Sequence, residues 1–317
     1  MSTKTLTQAV PAKAKRKHTA VGLRVGRWTP TWFVLPAVIL LFLITIVPFL
    51  IELGLSLHSY ELTSMKGAEF IWLKNYADVL LGDARFWNAL RVTAIVIVAA
   101  VGLEMFFGVG LALLLNRLRG SRSLITSLLL IPVMIAPVVS GMMWDMIYDD
   151  KFGPLNYLIE MFSFGKFEGT AWLAQTSTAL PSVIVVDIWQ WTPFIILIAL
   201  AGLQSIPTEL YEAGEVDGAG PWQALWYITL PMLAPVMVVG FLIRFMDAFK
   251  LFDIVYLLTR GGPGSATETI SFYTYVRGFK QFSLGYTAAL AFLQLIVIIF
   301  VSKVFIGYLQ RQRGGEA

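Results

Sequence analysis

The chain of 317 residues contains no cysteine and only two histidines, His18 and His58. The first absence excludes disulfide frameworks, thiol catalysis and cysteine-held zinc or iron–sulfur centres. Two histidines forty residues apart make no metal cluster. Charge is scarce too: 14% of residues are Asp, Glu, Lys or Arg, against about 25% in soluble domains. No G-x-x-x-x-G-K-[ST] phosphate loop is present, so the chain is not expected to hydrolyse ATP alone. Gly261-Gly-Pro-Gly264 lacks the lysine, follows an apolar run and reads as a turn. The apolar runs hold no paired nucleophile and base, which speaks against an intramembrane enzyme. The net charge of +4, from 24 basic and 20 acidic residues, implies no nucleic-acid partner.

What the chain has in excess is apolar surface: 57% of residues are hydrophobic and the mean hydropathy is +0.72. A soluble fold of this length would form one or two domains, too small to hide that excess, whereas a bilayer is large enough. A spanning helix needs roughly 20 apolar residues at about 1.5 Å rise each. Six such runs occur, approximately Phe33 to Leu57, Thr93 to Leu115, Leu124 to Ile147, Leu180 to Leu203, Pro231 to Leu258 and Leu284 to Ile306. The expected fold class is an all-α integral membrane protein with six transmembrane helices, the spanning domain covering residues 32–310.

Basic residues orient it. The first 27 residues hold Lys4, Lys13, Lys15, Arg16, Lys17, Arg24 and Arg27 and no acid. The positive-inside rule places this 1–31 tail in the cytoplasm, as a disordered segment. Its long basic stretch and long first apolar run argue against a cleaved signal peptide. Six crossings return the 311–317 tail to the cytoplasm, where Lys303, Arg311 and Arg313 agree. The connection Asn116 to Arg122, with three bases, also falls inside. The connections Ser59 to Arg91, Asp149 to Ala179 and Thr259 to Phe282 then lie outside, and none has room for a large extra domain.

One inside connection departs from the rule. Gln204 to Leu230 carries Glu209, Glu212, Glu215 and Asp217 and no Lys or Arg. Pro207-Thr-Glu209 starts a short helix, Gly218 and Gly220 break it, and Pro221 starts another that ends near Pro231. The result is a surface lug. Within it Glu212-Ala213-Gly214, three residues, Gly218, nine residues, then Ile228-Thr229-Leu230-Pro231 resembles the EAA motif of membrane subunits of ATP-binding-cassette importers. Gly214 stands where that family usually has Ala. The likeness extends to Phe70-Ile71 with Asn75-Tyr76, Phe86-Trp87, Leu111 to Ser123 with Ile131-Pro132, Phe152-Gly153 with Asn156-Tyr157, and Leu258-Thr259-Arg260-Gly261-Gly262-Pro263. These are similar to carbohydrate importer permeases of the maltose type, and the last stretch resembles the first of the two permeases. The basic N-terminal tail is outside the resemblance, and the inserted outside domain of larger members is absent.

The resemblance implies that the loop 204–230 is a cytoplasmic coupling helix between spans four and five, docked on a separate ATPase subunit. Glu212 would accept charge-assisted hydrogen bonds from that partner. Ala213 and Gly214 would permit close approach, and Gly218, beside Asp217, would permit the chain reversal. Ile228, Leu230 and Pro231 would tie the lug to span five. The implied partners are a second permease subunit in a heterodimer, two ATP-binding-cassette ATPase subunits and a periplasmic or extracellular solute-binding protein, with membrane lipid around them. ATP and Mg would belong to the ATPase, with no cofactor in this chain. The implied setting is a bacterial or archaeal cytoplasmic membrane.

Charges inside spans are costly, by about 2.5–3.5 kcal/mol at the centre on insertion scales, and mark pathways by default. Span five carries Arg244, Asp247, Lys250 and Asp253, each about 60° further round a helix, so Arg244 and Asp247 can pair while Arg244 and Asp253 face apart. Arg244 lies 13 residues beyond Pro231, roughly 20 Å along the helix, and Asp187 sits at a comparable depth in span four. The two can face one cavity. Around Asp187 the run Asp-Ile-Trp-Gln-Trp-Thr-Pro193 mixes rings, an amide and a carboxylate, the mixture that stacks on and hydrogen-bonds a sugar. The resemblance places solute contacts here, at Asp187, Trp189, Gln190, Trp191, Phe194 and Arg244, although several of these side chains differ from the maltose pattern, and Asp247 beside Arg244 is a further candidate. The alternatives are a structural ion-pair network and, for the tryptophans, an interfacial belt or the bundle core. Glu104 and Asp145 read as helix-packing polar groups.

A rival reading from another class is a proton-coupled secondary transporter using Asp187, Asp247 and Glu104 as a relay. It explains the membrane charges but not the base-free lug. The sequence does not name the solute: a neutral sugar, a polyol and a phosphorylated or sulfonated derivative all remain open.

Overall fold

The computed structural model describes residues 29–65, 67–118, 120, 122–164 and 169–314. The basic tail expected before residue 29 and the side chains of Arg311 and Arg313 lie outside the described residues. The regular structure of the described chain is helical apart from a short antiparallel pairing of His58 with Phe70 and Ser59 with Glu69 and an isolated bridge between Glu61 and Ser283, with turns and irregular connections between the helices. It divides into two units, Met1–Ile51 and Glu52–Ala317.

In the first unit the helix that begins at Thr29 shows apolar side chains to its surroundings, with Leu40, Phe42 and Ile44 each more than half exposed. Such a helix is stable only in an apolar solvent. In the second unit Ala84–Arg117, Thr176–Gln204, Pro221–Leu258 and Leu284–Gly307 are also long and apolar enough to cross a membrane, which makes five such helices with Val34–Ser56. The chain is a multi-pass membrane protein.

The third apolar run is where sequence and structure differ most. It is three short helices, Arg122–Leu129, Ile131–Met134 and Pro137–Ile147. Pro137 is the cause: it has no N–H to donate, and it holds Ala136 extended at ψ 137°, with Ile135 extended before it at ψ 132°. The carbonyl of Ile135 is recovered by the Gln190 side-chain amide at 3.0 Å, as an irregular backbone at membrane depth requires.

The fifth run is also interrupted. The Leu230–Ala248 helix stops before Phe249, and Asp253–Leu258 forms a separate helix. Hydroxyls from a neighbouring segment cover the break: Thr269 donates to the Leu251 carbonyl at 2.8 Å and Ser271 to that of Phe249 at 3.3 Å. Lys250 and Asp253 therefore do not continue the helical series begun by Arg244 and Asp247.

The core of the second unit gathers on the Ala84–Arg117, Thr176–Gln204 and Leu230–Ala248 helices. Ala112, Leu115, Ile195, Ile196, Leu200 and Leu233 make one cluster, and Val101, Phe245, Ile270, Tyr273 and Leu290 another. Gly108 sets the spacing of the first two helices, because a Cβ there would stand 2.5 Å from Ile195 Cγ2. At the other end of Ala84–Arg117, Asp83 caps the helix through the Arg85 and Phe86 amides. Its second oxygen accepts from Tyr273, from Tyr286 at 2.5 Å and from Arg277 at 3.3 Å. Burial pulls this carboxyl upward, but the hydrogen bonds from Tyr273, Tyr286 and the Phe86 amide and the Arg277 charge outweigh it, holding Asp83 below the usual carboxylate range.

Candidate functional site

Two of the expected regions resolve into built structures: a buried charge cluster among three helices, and a clasp in the 204–230 loop.

Arg244 is fully buried, its side chain 1% exposed. Its Nε donates to Glu104 Oε2 at 2.7 Å and its Nη2 to Glu104 Oε1 at 2.8 Å, a bidentate fork. Nη2 also donates to Asp187 Oδ2 at 2.8 Å and Nη1 to Asp247 Oδ2 at 2.6 Å. The guanidinium carbon lies 4.7 Å from the centre of the Trp191 ring, so a π face covers the plane that the carboxylates leave bare. Arg244 and Asp247 are partners by the i, i+3 rule, as expected. The two buried carboxylates come from the other helices, so one cation ties Ala84–Arg117, Thr176–Gln204 and Leu230–Ala248 together.

Three carboxylates surround this one cation, and they differ in access. Glu104 and Asp187 are fully buried, while the Asp247 side chain is 50% exposed. Asp187 Oδ1 and Gln190 Oε1 are buried without a hydrogen-bond partner among the described residues. Trp189 meets Trp144 edge-on at 5.6 Å and Trp191 meets Phe194 at 6.2 Å. All three expected aromatics, Trp189, Trp191 and Phe194, remain partly exposed. Arg244, Asp187, Trp191 and Asp247 are thus one constellation. Gln190 is turned to the Ile135 carbonyl, and Lys250 makes no ion pair among the described residues.

Glu104, which reads from the sequence as a helix-packing polar group or, in the rival reading, as a relay member, is Arg244's bidentate partner. The signal was its position: a single carboxylate in the run Thr93 to Leu115, where an unpaired charge is too costly to persist.

The loop forms two helical pieces, Thr208–Val216 and Pro221–Ala224, followed by a π-helical turn over Leu225–Thr229 that runs into Leu230. The chain reverses at Gly218, whose φ of +82° is a left-handed conformation that glycine adopts without strain. The Ala219 amide closes the first helix on the Gly214 carbonyl at 2.8 Å. A Cβ at Gly214 would stand 3.0 Å from Ile228 Cδ1, so Ile228 packs down on that small residue. Tyr211 and Thr229 share a hydrogen bond at 3.0 Å across the same gap. Gly214, Gly218, Ile228 and Leu230 are therefore parts of one clasp, while Glu212, Ala213 and Asp217 stay exposed on its surface. Pro231 follows as the second residue of the next helix, a position that needs no N–H.

A multi-pass helical chain with an acidic clasp between two of its long helices and a charge cluster behind it has the architecture of a transport-system permease. The family described as "Binding-protein-dependent transport system inner membrane component" matches residues 104–314, and the chain belongs to it. It is 40% identical over 309 residues, 97% of each chain, to "Probable ABC transporter permease protein y4oQ" of Sinorhizobium fredii. It is 32% identical over 277 residues to "Trehalose/maltose transport system permease protein MalF" of Thermococcus litoralis, covering 87% of this chain and 91% of that one. A solved chain of a bacterial alginate ABC transporter, in complex with its alginate pentasaccharide-bound periplasmic protein, shares the fold. Its TM-score is 0.74 at 22% identity, over 90% of this chain and 94% of that chain.

Proposed function

We propose that this chain is one of two permease subunits of a sugar importer, driven by ATP hydrolysis on separate subunits. Six spans would carry it from a cytoplasmic N-terminus back to a cytoplasmic C-terminus, with the helices Arg122–Leu129, Ile131–Met134 and Pro137–Ile147 together making the third crossing. The clasp of residues 204–230 then faces the cytoplasm. One observation carries the coupling role: the motif's small and apolar members, Gly214 and Ile228, pack on each other and make a rigid body, while Glu212 is left outside as a free anchor. A rigid lug transmits displacement, which a flexible loop does not. Glu212 and Asp217 bind basic groups of the ATPase, and Leu230 and Pro231 pass the movement to the helix that bears Arg244.

ATP and Mg bind to the ATPase pair, whose closure shifts the permeases between inward- and outward-open states. A second permease completes the pathway, and an external binding protein delivers solute. The trehalose/maltose transport role of the Thermococcus relative supports a carbohydrate solute. Trp189, Trp191, Phe194 and Asp247, partly exposed, are the groups that meet it; Asp187, Gln190 and Arg244, with Glu104, stand behind them and fix their positions. The chain has no cysteine, so a thiol placed by Glu212→Cys is its only one. A short thiol-to-amine crosslinker on that variant should capture the ATPase subunit in the assembled transporter. Capture of the external binding protein instead, or of nothing, would refute the assignment.

A further inference from the structure

A groove of about 440 Å³ runs along the outer face of the Ala84–Arg117 helix, lined by Phe106, Phe107, Gly110, Leu113 and Leu114 and closed at one end by Arg117. Its walls are apolar and open: Phe106 is 72% exposed and Leu114 61%. Gly110 makes the depression, since a Cβ there would meet nothing within 4 Å. Arg117 is exposed at the last residue of the helix, and among the described residues no carboxylate pairs with it.

The dimensions select an occupant. Phe106 to Arg117 is eleven residues, about 16 Å of helix, against about 15 Å for one leaflet's share of the hydrocarbon core. One end of the groove thus lies near mid-membrane and the other at headgroup depth, where its only charge is a cation. An acyl chain is apolar over that length and ends in a phosphate at that depth. Arg is suited to it, because its fork of donors matches phosphate oxygens. Arg122 begins the next helix five residues on, so the headgroup end remains basic, a pattern associated with anionic lipid headgroups.

We propose that this groove holds one anionic phospholipid, its acyl chain over Gly110 and its phosphate on Arg117. The inference is independent of solute and of which leaflet the Arg117 end faces.

The test uses the assembled transporter, reconstituted in nanodiscs of phosphatidylethanolamine with phosphatidylglycerol, re-extracted and weighed by native mass spectrometry. The wild-type complex should retain phosphatidylglycerol on this subunit through washing. Arg117→Gln should lower that retention at least tenfold, and Arg117→Lys should restore most of it. Gly110→Trp, which fills open space and leaves the fold intact, should also abolish it. Equal retention in wild type, Arg117→Gln and Gly110→Trp would overturn the proposal. So would a Gly110→Cys thiol that crosslinks to the partner permease in the wild-type assembly at high yield.

Discussion

Replacing Arg244 by methionine, which fills most of the same space, isolates the electrostatics of the buried cluster. The substitution removes four hydrogen bonds and leaves Glu104 and Asp187, both without solvent access, with no cation. Breaking a buried ion pair from one side costs about 3–5 kcal/mol, and with two carboxylates orphaned the upper end applies. Glu104→Gln keeps an acceptor for the guanidinium and sacrifices one charge-assisted bond, about 1.5–3 kcal/mol. Asp247→Asn acts on a half-exposed carboxylate and, screened by solvent, should cost no more than about 1 kcal/mol. The decisive variant is triple: Arg244→Met with Glu104→Met and Asp187→Met removes the buried charges together and leaves only the half-exposed Asp247, and apolar replacement of a buried network is often neutral or better. Unfolding in detergent micelles, followed by intrinsic fluorescence, should rank the single variants in that order and return the triple variant to within about 1 kcal/mol of wild type. A triple variant as unstable as Arg244→Met alone would refute the reasoning.

Two further outcomes follow from the packing. Gly108→Leu forces a side chain into Ile195 and should destabilise the purified protein by about 1–3 kcal/mol, read in the same unfolding assay. Asp83 is held below the usual carboxylate range by its donors, so its folded value lies under its unfolded one, near 3.9. Its contribution is then fully present above that unfolded value and is lost as pH falls through the lower folded one. The stability gap between wild type and Asp83→Asn should be constant near neutrality and close as the pH drops below about 4; a gap that widened with acid would contradict the assignment.

Much of this arrangement is legible in the sequence because composition alone decides which segments leave water. Four of the six runs became single long helices, and the fifth divides at Phe249 into Leu230–Ala248 and Asp253–Leu258. The third run broke at Pro137, and the partner that made the break tolerable, Gln190, is 55 residues from Ile135, beyond any local pattern. The same limit applies to the charges. Arg244 and Asp247 lie three apart and were readable as a pair, whereas Glu104 is 140 residues away and only folding reveals whom it meets. The helical phase assigned to Lys250 and Asp253 failed because hydroxyls of Thr269 and Ser271 stabilise a backbone break that periodicity does not announce. The lug and its reversal at Gly218 were legible from the prolines and glycines of the loop and from its resemblance to a family motif, whereas the packing of Ile228 on Gly214 appears only in the folded chain.

In the proposed coupling, chemical work done on another subunit enters this chain through the clasp. Sealed proteoliposomes containing the full transporter, loaded with ATP on the ATPase side and supplied with binding protein and radiolabelled sugar, test it directly. Uptake should depend on ATP, persist when a protonophore collapses the proton gradient, and vanish in Glu212→Ala while the complex still assembles. Uptake that survives Glu212→Ala, or that stops with the protonophore while ATP is present, would contradict the account.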